Sequence, residues 1–274
     1  MTILLCEDSP DGILTAVYEA YASRLGHQNL SLELADGANY RLFADFRQVQ
    51  TDGEKACKVA SKVKKALGQE TWRQIYQACL ADSGEKADAI YRTIFLGLSY
   101  RNPRIMEVLS EPAVYTVFSL ARKIANEAHR YLGFVRFQET DAGILYAQIA
   151  PEGQILPLMG DHFADRYPRE HFLIEDLRHD TCLVHEAGKQ WFLGRGLDIA
   201  GKEWEPSRRE AEYVRLWRQF HRTVAIEERQ NWNLQRQFLP LKFRVYMTEN
   251  FGETTRKRKN EGLKKTGGNL GDQN

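Results

Sequence analysis

The sequence predicts an α+β protein: a mixed α/β amino-terminal part packed on an antiparallel sheet flanked by long helices. Short apolar runs alternate with helical periodicity over the first part of the chain. Strand-like runs joined by turn residues crowd the stretch 134–193, and long helical patterns stand on either side of it. Strands that follow one another through tight turns pair antiparallel, and helices segregated beside such a sheet make the α+β arrangement. The expected divisions are an α/β part over 1–110, a sheet-and-helix part over 111–250 and a disordered basic tail over 251–274.

The elements follow in order. An apolar run at 3–6 predicts a first strand, and Ser9-Pro10-Asp11-Gly12 starts a helix that aligns Leu14, Val17, Tyr18 and Tyr21. A serine oxygen can accept from a first-turn N–H, and proline presets φ at the first helical position. Strands are expected at 30–34 and 44–49. Asp52 then caps a helix with Ala56, Val59, Ala60, Val63 and Leu67 inward and Lys55, Lys58, Lys62 and Lys65 outward. Helical spacing continues over 71–80 and 86–98, interrupted by Asp82-Ser83-Gly84 and Asn102-Pro103. A longer helix is expected over 112–131 with Gly133 as its stop. Strands at 134–138, 144–149 and 154–156 then form an antiparallel meander through Thr140-Asp141-Ala142-Gly143 and Pro151-Glu152-Gly153. A short helix over 158–167 ends at Pro168, and strands at 171–175, 181–185 and 190–193 follow. Pro206 and Ser207 open a last long helix reaching 231, with Tyr213, Trp217, Phe220 and Val224 as its buried stripe. Beyond Phe251, Arg256, Lys257, Arg258, Lys259, Lys264 and Lys265 gather among small polar residues, which is the composition of a disordered tail.

Composition narrows the class. With 43% hydrophobic and 27% charged residues the chain has an ordinary globular balance, and a net charge of +1 leaves electrostatic arguments to local patterning. It holds no apolar run of about 18 residues, and its first residues turn acidic at Glu7 and Asp8 instead of carrying a basic leader. A cytoplasmic location is expected. Cys6, Cys57, Cys79 and Cys182 are scattered without a Cys-x-x-Cys pair, so buried reduced thiols are expected, with no metal and no cofactor.

The polar chemistry concentrates in the second half. The segment 121–244 holds fifteen arginines against four lysines, and six of the seven histidines lie between His129 and His221. Guanidinium forks onto phosphate and stacks on rings, so this bias favours oxyanion or nucleic-acid recognition. Arg208, Arg215, Arg222 and Arg229 recur every seven residues with Arg218 beside them, forming one stripe on a helix because a heptad step drifts only about 20°. Set against a duplex the stripe would contact phosphates. A solvated face paired with Glu212 and Glu228 is the alternative, worth only ~0.3–0.5 kcal/mol per pair. His162 and Arg166 share a helix face with Asp165 adjacent, a grouping that suits acid–base work and phosphate holding, or simply a docked helix. Ile174-Glu175-Asp176-Leu177-Arg178 brings a carboxylate and a guanidinium to the end of a strand, and Arg136 shares a strand face with Phe134. Arg136 and Arg178 are taken as further nucleic-acid contacts, with Phe134 and Arg136 as a base-stacking platform or, alternatively, one side of an ordinary core-and-solvent alternation. Glu7, Asp8 and Asp11 after the first strand suit helix capping or a phosphoryl site. The sequence lacks a glycine-rich phosphate loop, a His-Glu-x-x-His zinc motif and a Gly-x-Ser-x-Gly elbow.

Several of these stretches together resemble a known bacterial family. They are Asp8-Ser9-Pro10-Asp11-Gly12-Ile13-Leu14-Thr15-Ala16-Val17-Tyr18-Glu19-Ala20, Glu127-Ala128-His129-Arg130 with 133–137, His162-Phe163 with Arg166, and Arg229-Gln230-Asn231. The family is labelled as DNA metabolism or DNA repair proteins and carries a domain of unknown function. The resemblance covers nearly the whole chain to Glu249, although 239–249 matches the family's ending only loosely. It implies DNA as a partner, together with a radical S-adenosylmethionine protein encoded nearby or a uracil-DNA glycosylase-like protein to which the domain is also found fused. Three readings follow: an accessory factor that binds nucleic acid and a repair enzyme, an enzyme on damaged DNA or nucleotides using His162, Asp165 and Arg166, or an adaptor that never touches DNA.

Overall fold

The computed structural model describes residues 1–36, 42–195, 207–224 and 231–247. The tail expected over 251–274 and Arg229 lie outside the described residues. The chain is an α+β protein of two compact units, one formed by Met1–His129 with Pro151–Ile155, the other by Arg130–Ala150 with Leu156–Asn274.

The amino-terminal unit is built on a parallel sheet in the order β2-β1-β3, with β1 Thr2–Cys6, β2 Leu30–Leu34 and β3 Asp45–Gln48. Parallel neighbours need crossovers, and α1 Pro10–Ala22 supplies the first. Ser9 caps it by accepting from Gly12 N at 3.0 Å, with Pro10 at the first helical position. Asp52 caps α2 Gly53–Leu67 by accepting from Glu54 N and Lys55 N, and those two amides hold its carboxyl below the usual range. Helices α3 Gln69–Cys79 and α4 Lys86–Ser99 follow. The core joins Leu4, Ile13, Leu14, Leu30, Leu32, Ile75, Ile90 and Tyr91, all essentially buried. Each such aliphatic side chain contributes roughly 1.5–3 kcal/mol on burial.

The long helix α5 runs Pro112–Phe134, three residues past its expected end and through Gly133. The reason is a cap that the sequence did not advertise. Arg136 Nη1 donates to the Gly133 and Val135 carbonyls at 2.9 and 3.1 Å, serving carbonyls that the helix end leaves open. The strand expected over 134–138 shrinks accordingly to β4 Gln138–Glu139.

The carboxyl-terminal unit carries a five-stranded sheet ordered β4-β5-β6-β7-β8, with β5 Leu145–Ile149, β6 Phe172–Asp176, β7 Thr181–His185 and β8 Phe192–Arg195. It is mixed, not antiparallel throughout, because β5 and β6 run parallel. The strand expected over 154–156 does not form. Residues 150–171 instead make a crossover through a 3-10 turn, Leu156–Leu158, and α6 Gly160–Arg166, and a connection of that length permits parallel pairing. One face of the sheet is core: Ala147, Ile149, Phe172, Ile174 and Leu183 are buried, and Phe163 of α6 and Phe137 pack edge-on around Phe172. Helix α7 covers Arg208–Val224, and α8 Trp232–Phe238 and α9 Leu241–Arg244 follow. Among the described residues, no helix is long and apolar enough to cross a membrane.

Candidate nucleic-acid interface

Strand register assigns the second face of the carboxyl-terminal sheet. Tyr146 pairs with Leu173 and Gln148 with Glu175 across β5–β6, Leu173 with Val184 and Glu175 with Cys182 across β6–β7, and Val184 with Phe192 across β7–β8. Paired residues point to the same side, so Tyr146, Gln148, Glu175 and Phe192 share the face opposite the core. Tyr146 donates its hydroxyl proton to Glu175 Oε2, while Gln148 Nε2 donates to the Tyr146 oxygen at 2.7 Å and to Glu175 Oε2 at 3.0 Å. Burial first, and then the bond to Glu175, raise the Tyr146 pKa well above the ordinary phenol value. Glu175 is 8% exposed, whereas Phe192 on the edge strand is 50% exposed. Burial likewise raises the Cys182 thiol on this face, which donates to Gly194 O.

The β6–β7 turn is pinned from beneath. Fully buried Asp176 takes the Arg178 and His179 amides on Oδ1 at 3.0 and 3.3 Å and meets His179 Nδ1 through Oδ2 at 2.6 Å. These bonds fix the backbone of Arg178, whose side chain is exposed. Arg166 is also exposed, with its guanidinium 5.7 Å from the Tyr167 ring. Arg208 and Arg215 are exposed on α7; Arg218 and Arg222 fall within that helix, but their side chains lie outside the described residues. Arg136 is the departure, half-buried and engaged with the end of α5. Its expected platform partner is engaged too: Phe134 packs 4.9 Å from Phe243, and the neighbouring Phe137 lies among Phe163, Tyr167 and Phe172.

Helix α7 departs from its expected burial. Tyr213, Leu216, Trp217 and Phe220 are 44–56% exposed, and Trp217 stacks on Phe220 at 5.8 Å instead of packing into a core. Arg209 sits 5.8 Å over the Tyr213 ring. The helix thus presents rings and guanidinium groups together.

His162, Asp165 and Arg166 all lie on the exposed side of α6, and no hydrogen bond joins His162 to Asp165 among the described residues. His162 contacts Phe163 edge-on at 5.1 Å. The acidic start after β1 is engaged structurally: Glu7 Oε2 accepts from Thr51 Oγ1 at 2.7 Å, and Asp8 pairs with buried Lys86. Glu127, from the central motif, is a backbone clamp that accepts from Glu152 N and Gly153 N at 3.0 Å each. Cys6 and Cys79 are buried, with burial pushing each thiol up to about 12, whereas Cys57 on α2 is exposed. Among the described residues no three His, Cys, Asp or Glu side chains are grouped to hold a metal ion.

Glu175 stood out in the sequence as a strand-end carboxylate; Tyr146, Gln148 and Phe192 did not. The strict alternation of Leu145-Tyr146-Ala147-Gln148-Ile149 places the first two on one face. Which strand lies beside them is a long-range fact that alternation does not carry.

Fold and site together define an α+β protein with a hydrogen-bonded Tyr146, Gln148 and Glu175 cluster on one sheet face and an exposed helix of arginines and rings. The chain belongs to the family described as a domain of unknown function, DUF4130, which it matches over residues 84–249. No curated protein matches the chain.

Proposed function

We propose that this chain is a cytoplasmic accessory protein of DNA repair or DNA metabolism that binds nucleic acid together with a partner repair enzyme. The observation that carries the reading is α7, where exposed Arg208, Arg209 and Arg215 stand among exposed Tyr213, Trp217 and Phe220. Guanidinium groups neutralise phosphates and rings stack on bases, so the combination suits a single strand better than either residue type alone. Arg166 and Arg178 are further exposed arginines in the same unit. The resemblance described for the sequence supports DNA as the polymer and a radical S-adenosylmethionine protein or a uracil-DNA glycosylase-like protein as the enzyme partner.

The test is fluorescence anisotropy with single-stranded, duplex and uracil-containing DNA across a salt series, comparing the full chain with one ending at Asn250. Salt-dependent binding by both supports the reading. Binding lost with the tail reduces it to nonspecific attraction, and binding by neither removes it.

The exposed Tyr213, Leu216, Trp217 and Phe220 on α7 favour a second reading, an adaptor that docks its enzyme through this helix without touching DNA. Co-purification with the enzyme that survives nuclease treatment, together with no DNA affinity, distinguishes it.

A further inference from the structure

We propose that β3 is the contact through which two copies of this chain pair, edge to edge, about a two-fold axis at Phe46. The inference goes beyond the nucleic-acid reading and concerns the amino-terminal unit alone.

The two terminal strands of the parallel sheet are treated differently. β2 is sealed by α4: Leu32 N donates to Asp88 Oδ1 at 3.1 Å, and the Arg92 guanidinium donates to the Leu30 carbonyl. Both backbone groups face away from β1, so these bonds close that edge to a further strand. β3 stands at the other end of the sheet, with Asp45, Arg47 and Gln48 exposed. Just before it, Leu42 and Phe43 are 89% and 99% exposed, and Phe43 is held at a φ of 67°, in the left-handed region that a bulky side chain rarely adopts. A strained turn that displays two large apolar side chains beside a terminal strand marks a docking place.

The strand's own sequence names the occupant. Asp45 N donates to Met1 O at 3.0 Å and Val49 N to Leu5 O at 2.8 Å, so odd-numbered positions turn their peptide groups to β1 and positions 44, 46 and 48 turn theirs to the outer edge. In an antiparallel pair centred on Phe46, position 44 of one copy faces position 48 of the other. Asp45 then lies opposite Arg47 of the second copy, twice, at the non-hydrogen-bonded sites where side chains come closest. Asp45 and Arg47 share one strand face, as their own ion pair at 2.9 Å shows, so the four charges alternate on one surface. Moving the axis by one residue either way sets Asp45 against Asp45 or Arg47 against Arg47, and like charges directly opposite are destabilising. The strand is self-complementary in one register. Phe43 and Leu42 continue that register to positions 49 and 50 of the second copy, which brings the exposed turn against the far end of its β3. Because β2 is sealed, pairing closes at two copies and does not grow into a fibre. The ladder is short, so the dimer is weak and concentration-dependent. An extended segment of another protein would meet the same backbone, but the order of Asp45 and Arg47 fits a second copy.

The experiment is sedimentation velocity on the full chain across a concentration series, alongside Asp45→Arg, Arg47→Asp and an equal mixture of those two variants. The 31.6 kDa chain is expected to pass from monomer to dimer as concentration rises. Each single variant sets like charges opposite one another and should dimerise at least about tenfold more weakly. The mixture sets unlike charges opposite at both sites and should recover the parent's affinity. If melting shows that one variant is unfolded, Asp45→Arg combined with Arg47→Asp restores unlike pairs within a single sequence and reads the same recovery. A monomer at every concentration overturns the proposal and leaves the edge to an extended segment of another protein. A dimer that neither variant weakens places the contact elsewhere and overturns it too, as does weakening that neither the mixture nor the double variant reverses.

Discussion

Lys86 Nζ lies 2.5 Å from Asp8 Oδ1, and the lysine is 1% exposed while its ammonium also donates to the Ala81 carbonyl. The pair ties the residue two past the end of β1 to the first turn of α4. Removing one member of a buried pair leaves the other charged and poorly solvated, which costs far more than removing both. Asp8→Ala is therefore expected to lower stability by about 3 kcal/mol, the low end of the range for a buried pair because Asp8 is partly exposed. Asp8→Ala combined with Lys86→Met should lose less than Asp8→Ala alone. Urea unfolding of the two single variants and the double variant checks this, and additive losses would show that the charges are not coupled.

Glu127 holds residues 152 and 153 through two backbone N–H donors. Glu127→Gln keeps the shape but weakens both charge-assisted bonds, and a loss of about 1–2 kcal/mol is expected. Hydrogen exchange at the Gly153 amide should accelerate more than exchange in β1. Unchanged protection at Gly153 would mean that the loop is held by something other than this carboxylate.

At Gly160 an added Cβ would fall 2.2 Å from the Trp191 ring, whose Nε1 donates to Asp161 Oδ1 at 2.7 Å. Gly160→Ala is expected to push the indole off the helix and cost about 1–3 kcal/mol. A red shift and greater quenching of the Trp191 fluorescence, read in a background lacking the other tryptophans, is the signature. An unshifted spectrum would place the ring elsewhere.

His27 accepts or donates one hydrogen bond, at 2.6 Å, with the Tyr91 hydroxyl and packs 4.0 Å from the Phe95 ring. Burial first, and then the Arg92 guanidinium, lower its pKa below 6.5. The unfolded chain therefore takes up a proton that the folded chain refuses, so stability is full above pH 6.5 and is lost as pH falls through the folded pKa. His27→Gln should flatten the change in urea midpoint between pH 7.5 and 5.5. Equal slopes for both proteins would assign the dependence to other histidines.

If the arginine surface binds DNA, Arg208→Ala and Arg215→Ala should each weaken binding to every sequence alike and reduce the slope of log affinity against log salt by about 1. Arg136→Ala should leave that slope unchanged and destabilise the end of α5 instead, because its guanidinium is spent on helix carbonyls. A slope change for Arg136→Ala equal to that for Arg208→Ala would contradict the assignment.

Local chemistry made the helices legible. Ser9, Asp52 and the apolar spacing of α1, α2 and α4 state where helices begin and which side they bury. The misreadings have long-range causes. Gly133 signals a stop, but Arg136 reaches back to prolong the helix. Pro151-Glu152-Gly153 looks like a hairpin turn, yet Glu127, far away in sequence, captures its amides and turns the segment into a crossover. The stripe of Tyr213, Trp217 and Phe220 has the spacing of a buried face and stays exposed, since periodicity shows which residues share a side and not whether anything covers it. The arginine bias was visible as composition, while the convergence of Tyr146, Gln148 and Glu175 required knowing that β5 lies beside β6.

The parallel seam between β5 and β6 also sets an order of assembly. Strands β6, β7 and β8 follow one another through short connections, so their pairing closes small loops and can form early. β5 joins β6 only after residues 150–171 have been laid down between them, a larger entropy of closure that defers this seam to the end of folding. The hydrogen bonds among Tyr146, Gln148 and Glu175 straddle that seam. They form only once β5 has docked on a ribbon of β6, β7 and β8 that is already paired, so the cluster reports completion of the sheet and not its beginning.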